Sequence, residues 1–212
     1  MLRPEPGASA TLKRAQAAGI DAIAIPLFEV APLAWEAPDA GKFDALLLTS
    51  ANAVRHSGSE LAKLKGLPTY CIGAATAAAA RAAGLTIELV GNGDAAALVD
   101  QLPDHLKLIH LTGVEHRPIA NEIQIAVYAS RMIEPPPALD ALNGGVAMVH
   151  SPRAGERLAQ LVERRGTIAI AAISRTAADA CGTGWRTVKA IEAPTDGALL
   201  ALAGELWQDQ GR

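Results

Sequence analysis

Aromatic residues are scarce. Only 3% of the 212 residues are aromatic, as three Trp, two Tyr and two Phe. So few rings cannot line an extended stacking platform for single-stranded nucleic acid or an oligosaccharide groove. Charge of one sign is also lacking: 19 Lys and Arg stand against 22 Asp and Glu, a formal net charge of −3. No basic stripe for duplex phosphates emerges, so nucleic acid is not an expected partner. There are two cysteines, Cys71 and Cys181, far apart and without CxxC spacing. They offer neither a zinc framework nor a disulfide scaffold, and no metal site is expected. A reducing intracellular compartment is the default. The longest apolar runs, around residues 22–26 and 168–173, fall far short of the roughly 20 residues of a membrane-spanning helix. Met1–Gly7 has no secretory apolar region. The expectation is a cytoplasmic protein with no membrane partner.

What is present is core-forming material. Half of the residues are hydrophobic and 19% are charged, which suits a packed chain and not a disordered one. The length allows one large domain or two of about 100 residues. Ala45–Leu48, Thr69–Ile72, Leu106–Ile109 and Val146–Val149 read as buried strands. Alanine-rich stretches of helical spacing lie between them, such as 74–83, closed by Gly84. Strands alternating with helices at this pitch predict parallel βαβ units and an α/β fold.

A weak internal repeat divides the chain. Leu46–Ser50, Ile72–Thr76 and Asp94–Leu98 are echoed in the same order, about 101 residues later, by Ala147–Ser151, Ile173–Thr176 and Asp196–Leu200. Ile23–Val30 and Gln124–Ser130 alternate like extended strands and precede proline-bearing sequence, as connectors between lobes do. The expected organisation is a discontinuous lobe one (1–30 plus 134–212) and a lobe two (36–123). The crossover strands are placed at 23–35 and 124–133, with the ligand cleft between the lobes.

In open α/β sheets, ligands collect at the carboxyl ends of strands, where helix N-termini present free N–H groups. Thr49–Asn52, Gly73–Thr76, Asn92–Asp94, His150–Arg153, Ser174–Thr176 and Pro194–Asp196 all sit at such junctions. Each alone is accounted for as an N-cap. In matched pairs they form a surface of amides suited to carboxylates or phosphates, with Thr49, Ser50, Asn52, Gly73, Thr76, Ser151, Arg153, Ser174, Arg175 and Thr176 as candidate ligand-binding residues.

No conventional catalytic motif is found: there is no GxSxG, P-loop or HExxH, and Gly91-Asn92-Gly93 is only a fragment of a dinucleotide fingerprint. The five histidines show no ligand spacing, and His110 and His116 read as polar groups bracketing a turn. Cys71 reads as a small core residue. Tyr128, one of two tyrosines, has two readings. It is either a packing residue at a lobe junction or a proton donor, since an ordinary phenol with a pKa of about 10 is protonated at neutral pH.

Arg3-Pro4-Glu5-Pro6, Ala18-Gly19-Ile20, Ile25-Pro26-Leu27, Leu48–Val54, Cys71–Ala77, Val127-Tyr128, His150-Ser151-Pro152 and Ala193–Leu199, in this order, resemble the uroporphyrinogen-III synthase family over nearly the whole chain. The resemblance implies two flavodoxin-like lobes joined by a two-stranded connector. It implies an enzyme without cofactors that cyclises hydroxymethylbilane to uroporphyrinogen III with inversion of ring D and loss of water. The implied partners are this substrate and, transiently, hydroxymethylbilane synthase, with the protein a monomer. Tyr128 matches the family's tyrosine, placed to assist hydroxyl departure. Thr49, Ser50, Thr76, Ser151 and Thr176 match hydroxyl positions of the family's cleft, and Arg3, Arg153 and Arg175 are candidates to meet the substrate's carboxylates.

The departures are Leu2 where the family has a threonine, Ser174-Arg175 where a small pair is usual, an atypical helix start at Arg153 and Gly155, and a short 113–123 segment that implies a trimmed lobe two. Two alternatives stand beside this reading: a two-lobed binding or sensor protein for an anionic small molecule, and a degenerate synthase with a regulatory role.

Overall fold

The alternation expected from the apolar runs is present throughout. The computed structural model describes residues 1–92, 95–103, 105–115 and 122–209. In chain order it contains α1 (Gly7–Ala17), β1 (Phe28–Pro32), β2 (Ala45–Leu48), α2 (Ala51–His56), β3 (Thr69–Ile72), α3 (Ala74–Ala82), β4 (Ile87–Gly91) and α4 (Ala95–Val99). These are followed by β5 (Leu108–Gly113), β6 (Glu122–Met132), β7 (Val146–Val149), α5 (Pro152–Leu161), β8 (Ala169–Ala172), α6 (Arg175–Ala180), β9 (Thr187–Ala190) and α7 (Asp196–Gln208). The chain divides into two compact units, Met1–Glu29 with Arg131–Arg212, and Val30–Ser130. Among the described residues no helix is long and apolar enough to cross a membrane.

In the unit 30–130 the sheet order is β1-β6-β5-β2-β3-β4. Strands β4, β3, β2, β5 and β6 run parallel along it. Every residue of β2 and β5 is buried, as expected of central parallel strands covered on both faces. That is why Ala45–Leu48 reads as an unbroken apolar run. Leu46, Leu48, Cys71, Ile109, Leu111 and Val127 share a core with Ala53 and Val54 of α2 and Ala77 and Ala80 of α3. Gly73 opens α3 at φ +78 and Gly84 follows its end at φ +81, left-handed positions that favour glycine.

In the other unit, β7, β8 and β9 form a parallel sheet. The chain start extends it: the Leu2 amide donates to the Met148 carbonyl at 3.4 Å, and the Ile25 amide to the Met1 carbonyl at 2.8 Å. The extended stretch expected over 23–30 therefore divides. Its first half pairs with Met1 and Leu2, and its second half enters β1, just past which the Leu33 N–H donates to the Val127 carbonyl at 2.9 Å. One core gathers Leu2, Leu27, Leu158, Ile168 and Ile170, and another Met148, Ala169, Leu199, Leu200 and Leu206. Leu2 is fully buried.

Two expectations are corrected. The strand expected at Leu106–Ile109 begins at Leu108 and runs on to Gly113, because polar His110 and Thr112 alternate with apolar residues within it. His110 accordingly brackets no turn. It is buried in mid-strand. Gly93, Asp94 and His116, and most of the 113–123 segment, lie outside the described residues.

Candidate active site

In the unit 30–130, the parallel strands β2, β3 and β5 bring Thr49, Gly73 and Gly113 to the same, carboxyl, edge of the sheet. Beyond β2, Ser50 turns extended and its hydroxyl accepts from the Asn52 amide, capping α2. Asn52 Oδ1 accepts from Arg55. Thr76, in the first turn of α3, is buried at 5% exposure.

Tyr128 is half-buried and stands opposite Gly113 in the β5–β6 ladder. A Cβ at Gly113 would meet the Tyr128 ring at 2.8 Å, so the ring occupies the space beside a strand position that has no side chain. His56, at the end of α2, stands 6.2 Å from the same ring. Burial first, and then the charge of Arg55, lowers the His56 pKa below that of an ordinary imidazole, so this neighbour is neutral at pH 7.

The other face of the sheet carries a buried polar chain. Leu46 and Leu48 belong to the α2–α3 core, so strand alternation directs Leu47 and Thr49 to the opposite face, with His110. Thr49 Oγ1 lies 2.9 Å from His110 Nε2, and His110 Nδ1 lies 3.0 Å from Glu122 Oε1. The His110 and Glu122 side chains are 2% and 0% exposed, and Gln124 Nε2 also donates to Glu122 Oε1. In the tautomer that fits both contacts, Nδ1–H donates to Glu122 and Nε2 accepts from the Thr49 hydroxyl. Glu122 Oε2 is buried with no partner among the described residues.

In the other unit, β7 and β8 deliver His150-Ser151 and Ile173-Ser174 to one sheet edge. The Ser151, Ser174 and Thr195 hydroxyls accept from the amides of Ala154, Ala177 and Ala198, capping α5, α6 and α7. Pro152 occupies the first turn of α5, where its missing N–H costs nothing. Ser174 and Thr176 share a hydrogen bond of 2.9 Å.

Asp196, the first residue of α7, gathers four side chains. Arg3 donates to it at 3.1 Å, Thr11 at 2.8 Å, His150 Nε2 at 3.2 Å, and Arg14 as well. Burial alone would push this carboxyl up. The hydrogen bonds from Thr11, His150 and Arg14, with the charge of Arg3, outweigh burial and hold it below the usual Asp value. His150 moves down too, through burial first and then the charge of Arg3, against the pull of Asp196. Its Nδ1 is buried with no partner among the described residues, which suits the neutral ring.

Of the residues expected from sequence, Thr49, Ser50, Asn52, Gly73 and Tyr128 meet at one sheet edge, and Ser151, Ser174 and Thr176 cap or flank helix starts. Two of the three expected cations have partners within the protein. Arg3 is committed to Asp196, and the Arg153 guanidinium lies over the Phe28 ring, 4.5 Å from its centroid. Arg175 is exposed. Burial pushes both thiols, Cys71 and Cys181, up to about 11, so neither is a reactive thiolate. Sequence reasoning misses His56, His110, Glu122, His150 and Asp196 as interacting groups. The one available signal is His110 and Thr112 as alternate polar positions among apolar ones. Among the described residues no group of three or more His, Cys, Asp and Glu is placed to hold a metal ion.

A family model described as uroporphyrinogen-III synthase HemD matches residues 9–201. No curated protein matches the sequence. Among solved structures, uroporphyrinogen-III synthetase from Helicobacter pylori is similar, with a TM-score of 0.67 and 19% identity over 86% of this chain and 92% of that one. A mutant uroporphyrinogen III synthase from the extremely thermophilic bacterium Thermus thermophilus has a TM-score of 0.50 and 17% identity over 99% and 100% of the two chains. At such identities the structural likeness bears on the fold, a mixed α/β arrangement with parallel sheets. The family model spans nearly the entire sequence, and on that ground the chain belongs to the uroporphyrinogen-III synthase family.

Proposed function

We propose that this protein cyclises hydroxymethylbilane to uroporphyrinogen III, with inversion of ring D and loss of water, as a cyclising hydro-lyase of porphyrin biosynthesis. The family match over residues 9–201 carries the reading. On it, residues 1–30 with 134–212 and residues 36–123 act as two flavodoxin-like lobes, with crossover strands at 23–35 and 124–133. The internal repeat and the separate cores of the two units support that division. The protein works as a cytoplasmic monomer that receives the bilane in transient contact with hydroxymethylbilane synthase, as suits a substrate that also closes spontaneously.

The chemistry asks for geometry more than for reactive side chains. Loss of the hydroxyl gives an azafulvene cation, which the substituted carbon of ring D attacks to form a spiro intermediate. Fragmentation, rotation of the ring and reclosure follow. Closure without inversion needs no enzyme, so the protein's task is to hold the folded geometry. Tyr128 donates the proton that leaves with the hydroxyl. Thr49, Ser50, Asn52, Gly73, Thr76, Ser151, Arg153, Ser174, Arg175, Thr176 and Arg3 are the substrate-binding candidates. Helix N-termini and exposed Arg175 suit the substrate's carboxylates. Neither the sensor reading nor the degenerate-synthase reading is favoured by the family match.

The test supplies freshly made hydroxymethylbilane and resolves the product isomers. Type III product formed faster than spontaneous closure is expected; type I alone, at the spontaneous rate, would sink the reading.

A further inference from the structure

We infer that Thr49, His110 and Glu122 form a proton-accepting relay for the final step of this cyclisation, with His110 as a positioning residue behind the substrate-facing Thr49 hydroxyl. The inference rests on the synthase reading and adds to it the group that takes the last proton.

The reaction takes up one proton and gives up one. Departure of the hydroxyl consumes a proton and releases water. When the macrocycle recloses at the unsubstituted carbon of ring D, that carbon bears both the new carbon–carbon bond and its original hydrogen. The aromatic pyrrole returns when the C–H bond breaks, its electron pair re-entering the ring and its proton passing to an acceptor. No oxidant, reductant or cofactor enters the balance.

The structure holds an acceptor of the right kind. Thr49 is half-buried at the carboxyl edge of β2, beside the cap residue Ser50. From its hydroxyl, hydrogen bonds of 2.9 and 3.0 Å lead inward through His110 to Glu122. As the substrate's proton moves to Thr49 Oγ1, the threonine's own proton moves to His110 Nε2, and the resulting imidazolium sits against the Glu122 carboxylate. A buried imidazole and carboxylate are an expensive way to fill a sheet face, since apolar residues of similar size pack there at no loss. Function is the better account of their presence. Tyr128 stands apart from the relay, its ring beside Gly113 and packed with the α2–α3 core. Donor and acceptor are therefore separate groups, and neither has to reset between the two proton transfers.

The closing experiment uses the full-length protein. His110→Gln and Thr49→Val are expected to slow formation of type III product about 100-fold, with Thr49→Ser recovering most of the loss in the valine variant. Substrate carrying deuterium at the unsubstituted carbon of ring D separates relay from packing: its isotope effect on turnover rises in His110→Gln, because proton loss becomes rate-limiting. A purely structural defect slows both isotopologues equally. Nitrogen NMR of the unsubstituted protein gives a readout independent of whether the variants fold: Nδ1 of His110 protonated and Nε2 bare. Hydrogen found on Nε2, or wild-type rates in both His110→Gln and Thr49→Val, overturns the relay and leaves the synthase reading standing. Type I product alone from the unsubstituted protein overturns the synthase reading itself.

Discussion

A glycine gives Tyr128 its place. Any side chain at Gly113 would occupy the volume of the tyrosine ring, so the phenol is positioned by an empty strand position as much as by its own ladder. If the phenol is the proton donor, Tyr128→Phe removes one hydroxyl and leaves the ring packing intact. Turnover should fall by about 10- to 1,000-fold with unchanged thermal stability, the range for loss of a general acid; steady-state rates on the folded variant check this. At His150 the prediction concerns pH. Its pKa is lowered in the folded state, so below the ordinary imidazole value of about 6.5 the unfolded chain binds more protons than the folded one. The stability this group contributes is present above that value and lost as pH falls through the folded pKa. His56, also lowered, adds a slope of the same sign. Urea midpoints between pH 7.5 and 5 should therefore decline, and less steeply in His150→Gln. An identical slope in that variant would remove His150 from the account. The pH scan ends above the ordinary Asp range, so the depressed Asp196 carboxyl contributes nothing to the slope.

Among the elements, α5 and α6 show how one residue governs packing. A Cβ at Gly155 of α5 would lie 2.9 Å from the Ala177 carbonyl oxygen and 3.0 Å from Cys181 Sγ. In the sequence Gly155 only marks an atypical helix start, because nothing local says that another helix backbone comes so close. Glycine costs about 1 kcal/mol of helix propensity against alanine, and relieving an overpacked contact costs about 1–3 kcal/mol. The obstruction is backbone, which yields poorly, so Gly155→Ala should lower the urea midpoint despite the better helix former. A higher midpoint would show that the helices can separate at little cost. Other elements are legible for stated reasons. Ala45–Leu48 and Val146–Val149 are continuous apolar runs because neighbours cover both faces. Leu108–Gly113 reads short because its polar positions look like a strand's end, and only burial shows that they face partners. α1 has no side-chain cap from its N-cap residue Pro6 and no acidic residue in its first turn; the Glu5 carboxylate, just before the helix, accepts from the Ser9 amide at 3.1 Å instead.

At the scale of the molecule, the cores are separate. Among the described residues, the cluster around Leu46 and Ile109 draws only on the unit 30–130, and the other two only on the remainder. A unit of about 100 residues is long enough to fold alone. The fragment 30–130 should accordingly unfold cooperatively in urea, with dispersed amide NMR signals; a fragment that stays unfolded in buffer would mean that its core needs the rest of the chain.

By itself the sequence determines the class of fold, the strand-to-helix junctions and the identity of Tyr128 as the distinctive side chain, because these follow from local periodicity, capping chemistry and scarcity. Tertiary structure alone decides which polar groups meet. Thr49 and His110 are 61 residues apart, and Thr11 and Asp196 are 185 apart. Such pairs are made by strand register and helix placement, and a hydrogen bond formed across that much chain leaves no periodic trace in the residues between.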